Sequence, residues 1–288
     1  MKILSGKAPA AAMKNGIKDQ ISESGDHPYL VIMKVGHDPA SDVYVRNKLK
    51  ACQEVGITCS VWQFDEDISQ SDLIEKIHCA NQDMSISGIM VQLPLPKHMI
   101  EQDVISAISP AKDVDGLHPK NVGLLACGCE SSGYIPCTPL GIMFMLFYYG
   151  IPLYGKHVVI VGRSNIVGKP LAMLMLAQNA TVTICHSKTE NLKQICRQAD
   201  ILVTAIGKPK FFTEEYVGNN AVVIDVGINR DENGKLCGDV DADSVKDVVS
   251  ALSPVPGGVG LMTVASLMFN CTMTQETKWK ERFTYLEE

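Results

Sequence analysis

Residues 157–176 read HVVIVGRSNIVGKPLAMLML and join a short apolar run, a turn bounded by glycines and an apolar helical pattern. The run at residues 158–161 is rich in β-branched side chains, which is typical of a strand buried on both faces of a parallel sheet. Gly162 and Gly168 bound the turn, and Pro170 stands where the first turn of a helix tolerates proline. This order of strand, glycine turn and helix predicts a dinucleotide-binding unit whose helix amides point at a pyrophosphate.

The glycine pattern by itself is weak evidence for nucleotide binding. It reads Gly162-x-Ser164-x-x-x-Gly168 and lacks the full G-x-G-x-x-G spacing, and such turns are common in α/β proteins that bind no nucleotide. The next predicted strand, residues 181–185, strengthens the interpretation. It is followed by HSKT at residues 186–189, where an NAD enzyme usually places an Asp or Glu against the ribose hydroxyls.

The charges around this turn favour NADP over NAD. No Asp or Glu occurs between residues 131 and 189. A carboxylate near the ribose would repel a 2′-phosphate, whereas Arg163, with Ser164 and Ser187 as hydroxyl donors, would bind one. The sequence therefore predicts an NADP-preferring site. The alternative, that these polar side chains are ordinary solvated surface residues, stays open at this point.

Length and composition limit the classes of function. The chain has 288 residues, which suggests two domains, and a hydrophobic fraction of 46%, which is ample for buried cores. Its net charge is −6 and it has no basic block, so the composition argues against nucleic acid or an acidic membrane surface as a partner. The longest uninterrupted apolar run, residues 142–149, is too short to span a membrane.

The ten cysteines are scattered along the chain and contain no CxxC pair. The closest two, Cys127 and Cys129, are too tightly spaced and too isolated for a zinc knuckle. The first residues lead into no long apolar segment of the kind found in secretory signal peptides. We therefore expect a reduced, cytoplasmic protein without a metal site.

The first half of the chain alternates strand and helix patterns, which is typical of successive βαβ units on a parallel sheet. The predicted elements are strands at residues 29–35, 58–64 and 88–93 and helices at residues 42–55 and 71–82. Residues 113–133 contain Pro119 and four glycines and are predicted to be irregular.

The second half predicts a further α/β domain. Residues 252–260 (LSPVPGGVG) have the composition of a tight loop, compatible with a cis proline, and a closing helix is predicted from residue 263 to about residue 278. We expect two α/β domains. The first covers residues 1–138, with the segment 263–288 packing back on it, and the second, of Rossmann type, covers residues 139–262.

Four side chains are candidates for acid–base chemistry. Tyr44 and Lys48 are four residues apart on the helix predicted at residues 42–55, so they project from one face. Gln92 ends the third strand and Asp115 lies in the following loop, near the carboxyl ends of strands where α/β proteins bind ligands. A lysine beside a neutral amide escapes the rise in pKa that a carboxylate would cause. The alternative is a surface lysine beside a packing tyrosine, with ordinary polar residues in the turns.

Seven motifs, which together cover nearly the whole chain, resemble those of the bifunctional methylenetetrahydrofolate dehydrogenase/methenyltetrahydrofolate cyclohydrolases. They are SDVYVRNKLKACQEVG, GIMVQLPLP, KDVDGLHPKNVG, PCTPLGI, VVIVGRSNIVGKP, VVIDVGINR and PVPGGVGLMT. The resemblance implies two α/β domains facing across a cleft, the C-terminal one a Rossmann-type NADP-binding domain.

The resemblance also implies the activity. Such an enzyme oxidises 5,10-methylenetetrahydrofolate with NADP to the methenyl form and hydrolyses that form to 10-formyltetrahydrofolate. This is folate one-carbon interconversion, which supplies purine, methionine and histidine biosynthesis. The implied partners are tetrahydrofolate derivatives and a second copy of the chain in a homodimer, with no nucleic acid and no membrane.

Individual residues acquire roles through the same resemblance. Lys48 matches the lysine that handles protons in the hydrolysis, Tyr44 the tyrosine that packs on the folate, and Gln92 the glutamine that tunes the lysine. Asp115 matches the aspartate that holds the pterin. Positions that border the folate are Tyr44, Gln92, Asp115, Gly260 and Leu261. Positions that match the cofactor site are Gly162, Arg163, Ser164, Gly168, Ser187 and Ile228.

One residue departs from the family pattern. The last motif usually reads Gly-Val-Gly-Pro-Met-Thr, but Leu261 replaces the proline. Leucine releases φ and adds a backbone N–H, so we expect weaker folate binding with the chemistry retained. Two alternatives remain: a dehydrogenase that has lost the hydrolysis, against which Lys48 and Gln92 argue, and a catalytically silent binding protein, supported by Leu261 alone.

Overall fold

The computed structural model describes residues 1–129 and 132–273. Its chain falls into two compact units, each made of two segments. Residues 1–11 and 138–263 form one unit, called here the large-sheet unit. Of the described residues, 12–129, 132–137 and 264–273 form the other, called the small-sheet unit.

The strands, in chain order, are β1 (Lys2–Ile3), β2 (Tyr29–Val35), β3 (Thr58–Phe64), β4 (Gly88–Val91), β5 (His157–Val161), β6 (Thr181–Cys185), β7 (Ile201–Thr204), β8 (Val222–Asp225), β9 (Asn229–Arg230), β10 (Leu236–Cys237) and β11 (Ala251–Leu252). The helices are α1 (Lys7–Ser24), α2 (Pro39–Val55), α3 (Gln70–Gln82), α4 (Glu101–Ser106), α5 (Pro119–Ala126), α6 (Cys137–Tyr148), α7 (Gly168–Ala177), α8 (Leu192–Arg197), α9 (Ala242–Val245) and α10 (Val259–Thr272).

The small-sheet unit is built on three parallel strands in the order β3-β2-β4. The predicted bounds of β2 and β3 are confirmed. Val31 and Met33 of the central strand lie in one apolar core with Leu73 and Ile77 of α3. The amphipathic spacing of α3 thus supplies the apolar layer that a parallel strand requires on its face.

The large-sheet unit contains six parallel strands in the order β1-β11-β8-β7-β5-β6. Val158, Val159 and Ile160 of β5 are fully buried, as expected of a strand covered on both faces. Val161 at the end of β5 pairs with Cys185 at the end of β6. The turns after these strands therefore leave the sheet side by side. The predicted α/β class, with parallel sheets and a Rossmann-type C-terminal domain, is confirmed.

The predicted division of the chain differs from the structure at its beginning. The sequence assigns residues 1–11 to the first domain, but these residues belong to the large-sheet unit. The cause is β1, which pairs in parallel with β11: Lys2 N donates to Ser250 O at 2.7 Å and Leu4 N to Leu252 O at 2.9 Å. A two-residue strand carries no hydrophobic periodicity, so the sequence does not reveal it.

Helix α2 begins earlier than predicted, and helix α5 was not predicted. Helix α2 starts at Pro39 because Asp38 caps it, its Oδ2 accepting a hydrogen bond from Ser41 N at 2.8 Å. The interpretation of residues 113–133 as irregular is wrong, since they contain α5. His118 caps that helix, its Nδ1 accepting from Lys120 N at 3.0 Å, and Pro119 takes its first position.

The closing helix α10 begins at Val259 rather than at residue 263 and ends at Thr272, short of the predicted residue 278. Residues 274–278 lie outside the described residues. The loop before the helix contains a cis peptide bond between Val255 and Pro256, as its composition allows. Within residues 1–129 and 132–273, no helix is both long and apolar enough to cross a bilayer.

A pair of glycine substitutions tests the packing of α6 against α10 in the large-sheet unit. A Cβ on Gly141 would lie 2.7 Å from Met262 Cβ and 2.9 Å from its carbonyl carbon, so Gly141→Ala forces the helices apart. We expect a loss of about 1–3 kcal/mol in the free energy of unfolding, measured by urea denaturation.

Gly123 of α5 is the matched control, because a Cβ there meets no atom within 4 Å. Gly123→Ala should stabilise the protein by about 0.5–1 kcal/mol through the lower entropy of the unfolded chain. Equal effects of the two substitutions would contradict the close approach of α6 and α10.

Candidate active site

Helix α2 carries Tyr44 and Lys48 on one face, four residues apart as predicted. Their exposure differs: Tyr44 is 41% exposed, whereas Lys48 is 8% exposed. The first turn of the helix is held by the buried Lys34 of β2, whose Nζ lies 2.6 Å from Asp42 Oδ1. At the other end, Gly56 adopts φ +85° and closes the helix in the left-handed conformation.

Lys48 and Gln92 meet inside the small-sheet unit. Gln92 follows β4 and continues its ladder, donating from its backbone N to Met33 O at 2.8 Å. Lys48 Nζ donates to Gln92 Oε1 at 2.9 Å and lies 3.3 Å from Met90 Sδ. Gln92 Nε2 donates to Leu93 O at 2.7 Å, which turns Oε1 toward the amine. The predicted pairing of lysine and neutral amide is thus present in the structure.

Burial lowers the pKa of Lys48, and the negative charge of Asp115 opposes this shift. Burial raises the pKa of Asp115, while the Lys48 charge and a hydrogen bond with Cys137 lower it. The result is a lysine that loses its proton more readily than a solvated one, near a carboxylate that holds its proton more readily than usual. The two shifts bring the pKa values of the lysine and the carboxyl group closer together, which favours proton transfer.

Sequence analysis missed two buried side chains that hold the loop around Asp115. The Cys137 thiol contacts the Asp115 carboxylate and also points to Val114 O at 3.4 Å. Asn270 of α10 donates through Nδ2 to Val114 O at 2.8 Å and to Ile135 O at 2.9 Å. The sequence shows a cysteine at the start of a helix and an asparagine on an apolar helical face. It does not show what they contact, because some of the backbone groups that they bind are distant in sequence.

Asp113 orders the same loop from its other side. Its side chain is 1% exposed, and its Oδ2 accepts hydrogen bonds from His118 N at 2.7 Å and Asn121 Nδ2 at 2.8 Å. Burial raises the pKa of Asp113 to about 7. This aspartate shapes the turn that leads to helix α5.

The second group of candidate residues lies in the large-sheet unit, at the turn after β5. Gly162 has φ +134°, and a Cβ on it would overlap the carbonyl oxygen of Ala205. A Cβ on Gly168 would overlap the carbonyl oxygen of Gly162. Both positions therefore require glycine, and the turn presents bare backbone at the start of α7. This cradle fits the pyrophosphate of a dinucleotide.

Polar side chains surround this turn. Arg163 and Ser187 are both exposed and follow the neighbouring strands β5 and β6. Ser164 Oγ accepts hydrogen bonds from Val167 N at 3.1 Å and Gly168 N at 3.4 Å, so its hydroxyl proton can be donated outward. A guanidinium and two hydroxyls at the ends of adjacent strands can bind a phosphate monoester.

Ile228, Gly260 and Leu261 lie at the same carboxyl end of the large sheet. Ile228 follows β8 and is 49% exposed, and a Cβ on Gly260 would come within 3.8 Å of its Cδ1. Leu261 is 39% exposed and donates from its backbone N to Gly258 O at 3.1 Å. A proline at this position could not make that hydrogen bond.

The structure thus places the predicted residues in two groups. Tyr44, Lys48, Gln92 and Asp115 belong to the small-sheet unit. The glycine turn with its polar side chains, Ile228, Gly260 and Leu261 belong to the large-sheet unit. Across the described part of the chain, no group of three or more His, Cys, Asp or Glu side chains is arranged to hold a metal ion.

Two family models match the chain. Residues 4–115 match the catalytic domain of tetrahydrofolate dehydrogenase/cyclohydrolase, and residues 136–279 match the NAD(P)-binding domain of the same family. The "Bifunctional protein FolD" of Lachnoclostridium phytofermentans is 53% identical over 272 residues, covering 93% of this chain and 96% of that protein.

Solved structures agree with these matches. The bifunctional FolD enzyme, methylenetetrahydrofolate dehydrogenase/cyclohydrolase, from Campylobacter jejuni is 46% identical with a TM-score of 0.91, covering 94% of this chain and 97% of that one. The Trypanosoma brucei dehydrogenase-cyclohydrolase, solved with NADP cofactor and an inhibitor, is 34% identical with a TM-score of 0.88. That comparison covers 93% of this chain and 95% of the trypanosomal one.

Replacing Gln92 by a carboxylate tests whether the neutral partner leaves the pKa of Lys48 free to be lowered by burial. Gln92→Glu places a carboxylate against the amine, which favours the ammonium form, so the pKa of Lys48 should rise. The measurement is a pH titration of the lysine side-chain resonances by heteronuclear NMR. Gln53→Glu, at an exposed position on the same helix, is the control and should leave Lys48 near its wild-type titration. A Lys48 titration unchanged by Gln92→Glu would refute the argument.

Proposed function

The chain belongs to the tetrahydrofolate dehydrogenase/cyclohydrolase family, and we propose that it catalyses both reactions that this name describes. The first is the oxidation of 5,10-methylenetetrahydrofolate to 5,10-methenyltetrahydrofolate with NADP. The second is the hydrolysis of the methenyl form to 10-formyltetrahydrofolate. The chain is then a bifunctional oxidoreductase and hydrolase of folate one-carbon metabolism.

The observation that carries the proposal for the hydrolysis is the buried hydrogen bond from Lys48 Nζ to Gln92 Oε1, at 2.9 Å. Hydride transfer moves no proton, whereas the hydrolysis needs a group that accepts and donates one, as an amine with a lowered pKa can. The intact pair therefore favours the bifunctional enzyme over the dehydrogenase alone.

In the hydrolysis, water attacks the methenyl carbon of the substrate cation and a C–O bond forms. The neutral Lys48 amine accepts one proton from that water. As the bond between the carbon and N5 breaks, the Lys48 ammonium donates a proton to N5, and the second proton of the water leaves to solvent. Gln92 orients the amine without fixing its charge, so Lys48 can act first as base and then as acid.

The oxidation asks less of the side chains. A hydride leaves the methylene carbon as a nitrogen lone pair forms the C=N bond, and no proton moves in that step. NADP, when bound, supplies the hydride acceptor. The chain contributes alignment of the two reactants, which is the main source of acceleration for such a step.

The choice of NADP over NAD rests on the residues that follow β6. They are HSKT, without a carboxylate to accept the ribose hydroxyls. Arg163, Ser164 and Ser187 would hold the 2′-phosphate, and the backbone between Gly162 and Gly168 would hold the pyrophosphate. Ile228 completes the proposed cofactor site.

The folate is proposed to bind at the candidate residues of the small-sheet unit. Tyr44, which is 41% exposed, offers a ring face for packing, and Asp115 offers a carboxylate for the polar edge of the pterin. Gly260 and Leu261 are further candidate folate residues that the family resemblance implies. This assigns the folate and proton chemistry to the small-sheet unit and NADP binding to the large-sheet unit.

We also propose that the protein acts in the cytoplasm as a homodimer, as its family resemblance implies. Light scattering coupled to size-exclusion chromatography would give twice the monomer mass of 31.3 kDa. A monomer that retained full activity would overturn the dimer proposal.

Two absorbance measurements test the proposed function. Purified protein with methylenetetrahydrofolate should form reduced nicotinamide faster with NADP than with NAD, and it should accelerate the decay of added methenyltetrahydrofolate. Reduction without faster decay would indicate a dehydrogenase alone. Failure of both reactions with NADP still bound would indicate a silent binding protein.

Lys48→Met removes the proton carrier while keeping an unbranched side chain. Hydrolysis of methenyltetrahydrofolate should fall by about 10²–10⁴-fold, the usual worth of a general acid–base group. NADP affinity should stay at the wild-type value, because the proposed cofactor residues lie in the large-sheet unit. Lys50→Met, at an exposed lysine of the same helix, is the control and should hydrolyse normally. Retained hydrolysis in Lys48→Met would exclude Lys48 as the proton carrier.

Leu261→Pro tests the departure from the family motif. Proline removes the hydrogen bond from residue 261 N to Gly258 O and fixes φ, so the KM for folate should fall severalfold while the KM for NADP is unchanged. Leu261→Ala is the matched control, because it trims the side chain but keeps the N–H. An equal fall of the folate KM in both variants would implicate side-chain bulk instead of the backbone. An unchanged folate KM in Leu261→Pro would show that Leu261 does not weaken folate binding.

A further inference from the structure

Two buried carboxylates stand at the carboxyl end of the large sheet. Asp225 ends β8 and is 3% exposed, and Asp239 follows β10 and is fully buried. Within the described residues, neither forms an ion pair with a Lys, Arg or His side chain. Their charges are instead compensated by hydrogen-bond donors from the surrounding loops.

Asp239 joins two loops that are separate in sequence. Its Oδ2 accepts from Ile206 N at 2.7 Å and Gly207 N at 3.2 Å, in the turn after β7. Its Oδ1 accepts from Lys208 N, in the same turn, at 2.8 Å. The same oxygen also accepts from Asn229 Nδ2, in the segment after β8, at 2.9 Å. One carboxylate thus sets the spacing between the turns that follow two neighbouring strands.

Asp225 accepts hydrogen bonds from backbone N–H groups at both ends of residues 227–240. Its Oδ1 accepts from Gly227 N and from Asp239 N, each at 3.0 Å, and its Oδ2 accepts from Val240 N at 2.9 Å. A Cβ on Gly227 would overlap the Asp239 carboxylate, and a Cβ on Gly238 would overlap that of Asp225. Both glycines permit the close approach of backbone and carboxylate.

The residue enclosed by these contacts is Ile228. Its preceding neighbour, Gly227, donates to Asp225, and its following neighbour, Asn229, donates to Asp239. Ile228 itself points outward, 49% exposed, within the proposed cofactor site. A large, solvent-exposed apolar side chain whose two neighbours are fixed by hydrogen bonds is suited to contact with a ligand.

This arrangement destabilises the folded protein in one respect. Burial, with the charge of Asp239 as a further cause, raises the pKa of Asp225 to about 6. Two buried carboxylates close together oppose folding unless their donors compensate both charges. The contacts also fix the geometry of the loops at the carboxyl end of the large sheet, because each donor loses its acceptor if either carboxylate moves.

We propose that Asp239, supported by Asp225, is a positioning residue of the dinucleotide site. Asp239 fixes the position of Ile228 relative to the turn after β7. The inference rests on the proposed function, since it assigns Ile228 to NADP. Asp239 acts through the loops and touches no reacting atom. Its loss should therefore weaken NADP binding and alignment while leaving the hydrolysis intact.

The test is Asp239→Asn, which keeps the size of the side chain but replaces one accepting oxygen with an NH₂ group. We expect the KM for NADP to rise about tenfold or more, since small misplacements in an aligned site have effects of this size. Hydrolysis of methenyltetrahydrofolate should stay within about twofold of wild type. A general loss of folding would lower both activities together, so the split between them separates positioning from stability.

Asp200→Asn is the matched control. Asp200 Oδ2 also accepts a backbone hydrogen bond, from His157 N at 2.8 Å, but at the amino end of β5. This variant should keep the wild-type KM for NADP. An equal rise in both variants, or an unchanged KM in Asp239→Asn, would overturn the proposal.

Asn229→Ala decides the matter if Asp239→Asn fails to fold. It removes one of the donors to Asp239 and should raise the KM for NADP by a smaller factor, with normal hydrolysis. An unchanged KM would overturn the positioning role. If the wild-type protein shows neither activity, the proposed function fails instead, and NADP affinity measured by calorimetry on the same variants still tests the positioning role.

Discussion

A buried lysine amine that donates its hydrogen bond to a neutral amide is the interaction on which the small-sheet unit depends. Gln92 supplies that acceptor at the end of β4, and its own NH₂ group is turned away by Leu93 O. Burial lowers the pKa of this amine and the Asp115 charge opposes the shift, while the direct hydrogen-bond partner stays neutral. The parallel sheet, the capped start of α2 and the Asp115 loop all bring side chains to this one point.

The large-sheet unit solves a related problem with the opposite charge. There, Asp225 and Asp239 are buried anions, and neutral N–H groups surround them. In both units the direct hydrogen-bond partners of a buried ionisable group are neutral dipoles. Dipoles orient their partner strongly but leave its field uncancelled, which is useful beside a site where charge moves or where a charged ligand binds.

Sequence reasoning succeeded where burial gives a periodic pattern or a short motif gives a fixed spacing. The bounds of β2, β3 and β6 follow from apolar runs, and the pairing of Lys48 with Gln92 follows from helical spacing and strand ends. It failed where a contact joins segments remote in sequence or lacks a pattern. The two-residue strand β1, helix α5 among glycines, and the roles of Cys137, Asn270 and Asp239 all required the fold, because their partners are defined by topology and not by local propensity.

The hydrogen bonds from Asn270 to Val114 O and Ile135 O also constrain the order in which the protein can mature. A ribosome releases the chain from its beginning, so the loop that carries Asp115 emerges long before its asparagine clamp. Until α10 docks, Ile135 O must bind water or stay unsatisfied and Val114 O keeps only the Cys137 thiol, so the loop that carries Asp115 is held less firmly. We therefore expect the proposed proton-transfer site to be completed late in synthesis, when nearly the whole described chain has been made.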